Sequence, residues 1–202
     1  MCKTNYEKTD LKKVIVAELV VGILMLVSAL YTYIPEPQYM HELTFLSNMA
    51  GAGIFIADGL CQMIRRKQLP GVLFLIETAT ISIVFLITVG CTVSGLAHFN
   101  FSGGMFFLHI INPILVIGFF LLFRGEREFK IKKIAVAPLF VTIYLLFDYI
   151  RFLFVGDFVY GLFPAEGMNL FKAIVIGVVA YIIVDIWGLV LYSIARIVRN
   201  RG

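Results

Sequence analysis

Six long apolar runs account for most of this sequence of 202 residues. A helix needs about 20 apolar residues to cross the hydrocarbon core of a bilayer, which is roughly 30 Å thick. The runs that reach this length lie near 13–34, 41–64, 70–96, 102–123, 132–155 and 169–196. Since they leave no room for a separate soluble domain, we expect residues 1–202 to form one domain, an all-α integral membrane bundle of six transmembrane helices.

Composition and cysteine content narrow the functional classes. Apolar residues make up 60% of the chain and charged residues only 15%, whereas a typical soluble domain has about half apolar and about a quarter charged residues. The net charge of +4 comes from short basic clusters between the apolar runs, a pattern that indicates membrane orientation and not nucleic-acid binding. Cys2, Cys61 and Cys91 match no metal-site or disulfide spacing, so we expect no metal and no cofactor.

The basic residues predict the orientation of the bundle. Of the 17 Lys and Arg residues, 15 lie at the N-terminus, at the C-terminus, or near the connections after the second and fourth runs. Basic residues next to helix ends are enriched on the cytoplasmic side of a membrane. We therefore expect both termini to be cytoplasmic, with an even number of spans between them.

Several ionisable residues lie inside the apolar runs, where an unpaired charge costs several kcal/mol. They are Glu18, Asp58, Glu77, His109, Asp148, Arg151 and Asp185. Asp148 and Arg151 are three residues apart and share a helix face, so a structural ion pair is the first expectation and substrate contact the alternative. The two glutamates lie near basic helix ends, which favours structural pairing. The other two aspartates fit an internal polar network and a functional site equally well.

The stretch ELTFLSNMAGAGIFIADGL, residues 42–60, puts a polar stripe on the second run. At 100° per residue, the members of the stripe fall within about 60° of one line along the helix. They are Thr44, Ser47, Asn48, Gly51, Phe55 and Asp58. Such a stripe faces the interior of a bundle, where small residues allow close contact and polar residues hydrogen-bond between helices. Interhelical bonding is one interpretation, and a functional site is the other.

His109 and Asn112 form a second polar focus in GMFFLHIINPIL, residues 104–115. The fourth run starts from the same side of the membrane as the second, so we expect His109 and Thr44 at similar depth, facing one cavity. A hydroxyl beside an imidazole is the arrangement of an activated nucleophile and its base, because histidine takes up a proton near neutral pH. These two are the candidate catalytic residues. The candidate oxyanion donors or substrate contacts are Ser47, Asn48 and Asn112.

The two motifs, ELTFLSNMAGAGIFIADGL and, two helices later, FFLHIINPILVIGFFLLF, resemble the androgen-inducible membrane hydrolases and their bacterial relatives. The family consists of small multi-pass proteins that cleave fatty acid esters of hydroxy fatty acids. The resemblance implies Thr44 as nucleophile and His109 as catalytic histidine. It covers about residues 13–190 and implies a lipid ester as substrate and a bacterial plasma membrane as location. VYGLFP, residues 159–164, occupies the place of the family's Tyr-Pro turn.

Two other functions fit the same sequence. A small proton-coupled carrier would use the intramembrane carboxylates and His109 as a relay, although the runs show no repeated halves of the kind that many transporters have. A non-catalytic lipid-binding protein would tolerate the loss of Thr44 or His109. The motifs GxSxG, HExxH and the phosphate loop do not occur in the sequence, so soluble-hydrolase, metalloprotease and NTPase chemistry lack support.

The predicted orientation can be tested with single cysteines in a variant that lacks the native ones. A cysteine at Gln38 or Asn100 should react with an impermeant thiol reagent added to intact cells, because both positions belong to connections expected outside. A cysteine at Lys67 should react only after the membrane is permeabilised. Protection of both external positions in intact cells would reverse the orientation.

Overall fold

A computed structural model of the chain describes residues 5–96, 99, 101–124, 131–160, 163 and 165–200. In this part of the chain, six helices are long and apolar enough to span a membrane, which confirms the predicted all-α, multi-pass class. They are α1 (Asn5–Tyr33), α2 (Leu43–Arg65), α3 (Gly71–Ser94), α4 (Gly104–Arg124), α5 (Leu139–Val155) and α6 (Leu170–Asn200). A 3₁₀ segment, Ile131–Val136, precedes α5 and extends the fifth span. The side of the membrane that each end faces stays a prediction.

Polar contacts define two ends of the bundle. The starts of α2 and α4 meet the segment that follows α5 at the end that contains Thr44, which we call the Thr44 end. The first half of α1 meets the final turns of α2 and α4 at the opposite end, which we call the Arg124 end. Helices α2 and α4 therefore run parallel to each other and antiparallel to α1 and α5.

Residues in the left-handed conformation end three of the helices. Arg66, Gly95 and Gly156 follow α2, α3 and α5 with φ of 54°, 72° and 88°. Glycine adopts this conformation without steric cost, and its N–H then bonds back to the last helical turn. Gly156 N–H donates in this way to the carbonyl of Phe152 at 2.8 Å. Helix α5 stops there, and the chain turns back over its end.

Helices α1 and α2 form the most extensive helix pair, and glycines let them approach closely. A Cβ built on Gly22 would lie 3.0 Å from the backbone nitrogen of Ile56 and 2.7 Å from its Cγ1. A Cβ on Gly59 would lie 2.9 Å from the side chain of Leu19. Close van der Waals packing of this kind drives helix association in membranes, where the hydrophobic effect between helices is weak. All members of the polar stripe on α2 are buried, which confirms that the stripe faces the interior.

The centre of the bundle is apolar and aromatic, whereas its outer helices are open to lipid. Phe55, Phe74 and Phe119, from α2, α3 and α4, pack with ring centroids 5.2 Å apart for the first two and 5.0 Å apart for Phe55 and Phe119. Helix α3 is the most buried of the six spans and α6 the least. Helices α5 and α6 expose large apolar side chains, such as Ile143 and Ile182. This distribution suits a bilayer, because lipid chains solvate those faces.

Helix α4 contains two π-helical segments, Phe107–Ile111 and Phe120–Arg124. In the first, the N–H of Asn112 donates to the carbonyl of Phe107, five residues earlier. Pro113 comes next and has no N–H to donate. The π-helical turn therefore lies where proline already removes one α-helical hydrogen bond. A π segment changes the direction of the side chains that follow it and is frequent at functional sites. This segment carries His109.

Replacement of Gly22 should weaken the contact between α1 and α2. Gly22→Ala places a methyl group against the Ile56 backbone, which cannot move without displacing α2, so we expect a loss of about 1–3 kcal/mol in the free energy of unfolding. Gly53→Ala is the matched control, since a Cβ there meets nothing within 4 Å, and it should change stability by less than about 1 kcal/mol. Unfolding of the purified proteins in detergent measures both, and equal stability of the two would contradict this packing.

Candidate active site

Thr44 and His109 meet at the Thr44 end of the bundle. Thr44 is the second residue of α2, and its Oγ1 lies 3.4 Å from His109 Nε2. The two residues are 3% and 5% exposed, so both are shielded from bulk water. They lie at matched depth, as the sequence predicted. A base acts from about 2.6–3.2 Å or through one water, and such contacts are often longer before substrate binds.

Side chains of the polar stripe fix the first turn of α2. Ser47 Oγ and Asn48 Nδ2 donate to the carbonyl of Thr44 at 3.2 and 2.8 Å. Asn112 Nδ2 donates to Asn48 Oδ1 at 2.7 Å and to Ser28 Oγ at 2.9 Å, which connects α1, α2 and α4. These donors point at acceptors of the protein itself. The geometry therefore differs from the expectation that Ser47, Asn48 and Asn112 reach an oxyanion or the substrate; they position Thr44 instead.

Aromatic rings surround the imidazole of His109. The rings of Phe99 and Phe101 each lie edge-on to it, with centroids 6.1 Å away. Phe101 belongs to the segment just before α4, and His109 to the first π segment of α4. The imidazole thus packs against two aromatic rings, while its Nε2 contacts Thr44 on α2. This placement holds the imidazole against Thr44 and limits the access of water to it.

A cavity of about 190 Å³ lies beside Thr44. The polar side chains on its wall belong to Thr44, Thr88, Tyr144, Asp148 and Tyr160. The rest of the wall is apolar and includes Ile87 and Ile183, which are 42% and 54% exposed on the outer surface. Ile87, on α3, and Ile183, on α6, therefore belong both to the cavity wall and to the outer surface of the bundle.

His109 does not line this cavity as expected. It contacts Thr44 Oγ1 but is not among the described residues of the cavity wall. The expectation that Thr44 and His109 both face the cavity is therefore wrong for the histidine. The physical reason is packing: the rings of Phe99 and Phe101 lie against the imidazole, and its Nε2 contacts Thr44 Oγ1.

Tyr160, from the segment between α5 and α6, contacts Thr44 as well. Its hydroxyl oxygen accepts a hydrogen bond from the N–H of Thr44 at 3.1 Å and lies 3.4 Å from Thr44 Oγ1. Burial raises the pKa of Tyr160 to about 12, and the hydrogen bonds from Thr44 oppose this rise only in part. The phenol is therefore neutral near pH 7. Sequence reasoning missed Tyr160, and only its place in VYGLFP, at the family's Tyr-Pro turn, pointed to it.

Asp148 and Arg151 do not form the predicted ion pair. Arg151 Nη1 lies 3.0 Å from Asp157 Oδ1 and donates to the Asp157 carbonyl at 2.9 Å. Asp148 Oδ1 accepts a hydrogen bond from the N–H of Val159 at 3.0 Å. The prediction was wrong because the chain turns back after α5 and offers nearer partners to both side chains. Together they hold the segment that carries Tyr160 against the end of α5.

A buried charge cluster lies at the Arg124 end, far along α2 from Thr44. Arg124 Nη2 lies 2.6 Å from Glu18 Oε1 and also contacts Asp58 Oδ2. Gln62 Nε2 donates to Glu18 Oε2 at 2.5 Å and to Asp58 Oδ2 at 2.8 Å. The N–H of Leu69 donates to Asp58 Oδ1 at 2.5 Å, so the connection after α2 folds into the cluster. Each of the four clustered side chains belongs to a residue that is at most 3% exposed.

Arg124 is the member of this cluster that the sequence did not predict. Its place among the basic residues after the fourth run suggested a position outside the membrane, yet it is 1% exposed. Its guanidinium also lies over the ring of Phe74, 4.8 Å from the centroid. The expectation that Glu18 pairs with a basic residue, and the network interpretation of Asp58, both agree with these contacts.

Glu77 and Asp185 belong neither to the polar residues around Thr44 nor to the charge cluster around Arg124. Glu77 is 1% exposed, and its Oε1 has no hydrogen-bond partner among the described residues. A Cβ on Gly51 would lie 2.6 Å from this oxygen, so the glycine leaves the space that the carboxyl occupies. Asp185 is partly buried, and its Oδ1 also lacks a partner in the described part of the chain. The basic partner expected for Glu77, and the network expected for Asp185, are not found there.

Comparisons with protein-family models, with curated proteins and with solved structures gave no match. The family resemblance therefore rests on the two motifs alone, and the function has to be argued from the contacts around Thr44. Within the described residues, no three His, Cys, Asp or Glu side chains are grouped as metal ligands.

Removal of Arg124 should destabilise the bundle strongly. Arg124→Met leaves two buried carboxylates without their cation, so we expect a loss of about 3–5 kcal/mol in the free energy of unfolding. The triple variant Glu18→Gln, Asp58→Asn, Arg124→Met should recover most of this loss, because no buried charge is left unpaired. Lys172→Met, at an exposed basic residue, serves as control. Additive effects of the three substitutions, measured by unfolding in detergent, would show that the charges are not coupled.

Proposed function

We propose that the protein is an intramembrane hydrolase of lipid esters, such as fatty acid esters of hydroxy fatty acids, with Thr44 as nucleophile and His109 as base. The observation that carries the proposal is the contact of 3.4 Å between Thr44 Oγ1 and His109 Nε2, beside a largely apolar cavity whose wall includes Thr44. The resemblance of both motifs to the androgen-inducible hydrolases supports the same two residues. The enzyme would be a threonine-type carboxylic ester hydrolase.

The proposed reaction has two halves. Thr44 Oγ attacks the ester carbonyl carbon while its proton passes to His109 Nε2, and the carbonyl oxygen becomes an oxyanion. The oxyanion collapses, the bond to the alcohol breaks, and the imidazolium returns its proton to the leaving oxygen. A water then attacks the acyl-threonine with His109 as base, which releases the fatty acid and restores Thr44. A threonine hydroxyl is a weak nucleophile without a base, so both residues are required.

The position of the cavity suits a substrate that is dissolved in the membrane. A lipid ester can enter between α3 and α6, past Ile87 and Ile183, without crossing water. Its acyl chain would lie along the apolar wall, and its carbonyl would lie at Thr44, near the polar end of the cavity. Water for the second half has to come from the Thr44 end, since Thr44 begins its span. In the predicted orientation this is the outer side, in a multi-pass protein of the bacterial plasma membrane.

The polar groups give less support to a proton-coupled carrier. Such a carrier needs ionisable groups in sequence across the bilayer. Glu18 and Asp58 are engaged by Arg124 and Gln62 at one end, and Glu77 Oε1 makes no hydrogen bond among the described residues. The described polar residues thus form one group at the Thr44 end and another at the Arg124 end, and not a proton relay between the two ends.

Thr44→Ala and His109→Ala should each abolish turnover of a long-chain ester by the protein in detergent. Loss of the base alone should lower kcat at least about 100-fold, the usual minimum for general base catalysis. Wild type should also be labelled covalently by a fluorophosphonate, whose fluoride leaves as Thr44 Oγ bonds to phosphorus, and neither variant should be labelled.

Thr80→Ala is the matched control for these variants. Thr80 is fully buried on α3 and does not line the cavity, and among the described residues its hydroxyl donates to the Ile76 carbonyl of its own helix. This variant should keep both turnover and labelling. Turnover that survives Thr44→Ala in folded protein would reject the proposed nucleophile. Lipid binding by wild type without any turnover would favour the non-catalytic lipid-binding protein.

A further inference from the structure

The oxyanion of the proposed reaction needs a hydrogen-bond donor, and the residues predicted for this task are engaged elsewhere. Ser47 and Asn48 donate to the carbonyl of Thr44, and Asn112 donates to Asn48 and Ser28. The N–H of Thr44 itself donates to Tyr160. Removal of one preorganised donor from an oxyanion typically costs a factor of about 10²–10³ in kcat. A donor next to Thr44 and on the cavity wall is therefore expected.

Tyr160 meets these geometric conditions. Its hydroxyl lies 3.4 Å from Thr44 Oγ1, and Tyr160 is one of the residues of the cavity wall. The oxyanion is bonded to the carbon that Oγ attacks, so it forms two bonds away from Oγ and on the cavity side. The hydroxyl oxygen of Tyr160 already accepts the N–H of Thr44. Its own proton is consequently available for a second acceptor, and in the resting site Thr44 Oγ is near enough to be that acceptor.

The surroundings of Tyr160 make it a fixed and polarised donor. Thr44 lies in the first turn of α2, where unpaired N–H groups carry the positive end of the helix dipole, and a hydrogen bond from such a group draws electrons from the phenol. Burial keeps the pKa of Tyr160 at about 12, so the donor proton is present at neutral pH. The bond from Val159 N–H to Asp148 and the salt bridge between Arg151 and Asp157 hold the segment.

We propose that Tyr160 donates a hydrogen bond to the oxyanion formed when Thr44 attacks the ester, which makes it a third catalytic residue. This assignment rests on the proposed hydrolase function. No proton is transferred from Tyr160: its O–H turns from Thr44 Oγ to the new oxyanion as the carbon–oxygen bond forms, and it turns back when the intermediate collapses. The proton that moves is that of Thr44, which goes to His109 and then to the leaving alcohol.

The direct test is Tyr160→Phe, which removes only the phenolic oxygen. For a long-chain ester, kcat should fall about 10²–10³-fold with little change in KM, because the lost interaction exists only in the transition state. Tyr33→Phe is the matched control. Tyr33 donates a hydrogen bond to Oε2 of Glu42, the residue directly before α2, at 2.6 Å. Tyr33 does not belong to the wall of the cavity beside Thr44. The Tyr33→Phe variant should keep kcat within about threefold of the wild-type value.

A thionoester of the same chain separates a donor from a merely structural contact. Its carbonyl sulfur accepts hydrogen bonds poorly, so wild type should hydrolyse the ester much faster than the thionoester, and Tyr160→Phe should reduce this ratio by at least about tenfold. A displaced Thr44 would slow both substrates equally. If Tyr160→Phe fails to fold, 3,5-difluorotyrosine at position 160 keeps the contacts and has a more acidic phenol. Its activity should then fall at a lower pH than in wild type, because the phenolate cannot donate.

The outcomes distinguish this inference from the function on which it rests. No turnover in wild type, or turnover that survives Thr44→Ala, overturns both. Turnover that depends on Thr44 but is unchanged in Tyr160→Phe overturns only the role of Tyr160. Two outcomes would give Tyr160 a merely structural role at the start of α2 and would overturn its catalytic role. One is an equal loss of kcat in Tyr33→Phe, and the other is an unchanged ratio of ester to thionoester rates in Tyr160→Phe.

Discussion

A polar side chain inside a bilayer has to find its partner within the protein, because lipid chains offer none. Helix α2 carries such side chains near both of its ends, and their partners come from the same two helices, α1 and α4. At one end Asn48 bonds Asn112, which bonds Ser28; at the other Asp58 and Glu18 share Arg124. Between them lie the close glycine contacts of α1 and α2. These three helices are therefore fixed in register at two levels.

The other half of the bundle is built differently. Helices α3, α5 and α6 meet mainly through apolar side chains, and α5 and α6 expose much of their surface to lipid. The cavity lies in this half, while Thr44 belongs to the polar half and borders it. Thr44 is thus held by a hydrogen-bonded layer and borders an apolar space. For the hydrolase proposed above, this would combine a precisely held nucleophile with an apolar wall for the acyl chain.

Part of this arrangement could be predicted from the sequence. The six spans follow from the lengths of the apolar runs. The interior face of α2 follows from the helical spacing of its polar residues, because polar side chains in a membrane have to face the protein interior. The similar depth of Thr44 and His109 could be predicted from the sequence, but depth alone does not imply the contact that the structure shows. The position of Tyr160 could not be predicted, because it depends on how the segment after α5 folds back. Arg124 was expected outside the membrane, because the number of basic residues along a chain carries no information about the depth of each one. The spacing of Asp148 and Arg151 could not reveal that residues beyond the helix would compete as partners.

The contacts of Thr44 arise at different stages of chain synthesis. Thr44 and His109 are 65 residues apart, whereas Thr44 and Tyr160 are 116 apart. Because membrane helices are inserted from the N-terminus onward, the hydroxyl and the imidazole can meet once four helices are in place, but the phenol arrives only after α5 has crossed and the chain has turned back. The cavity is walled by α6 as well. A partly inserted chain would thus bring Thr44 and His109 together before Tyr160 and the complete cavity wall are in place.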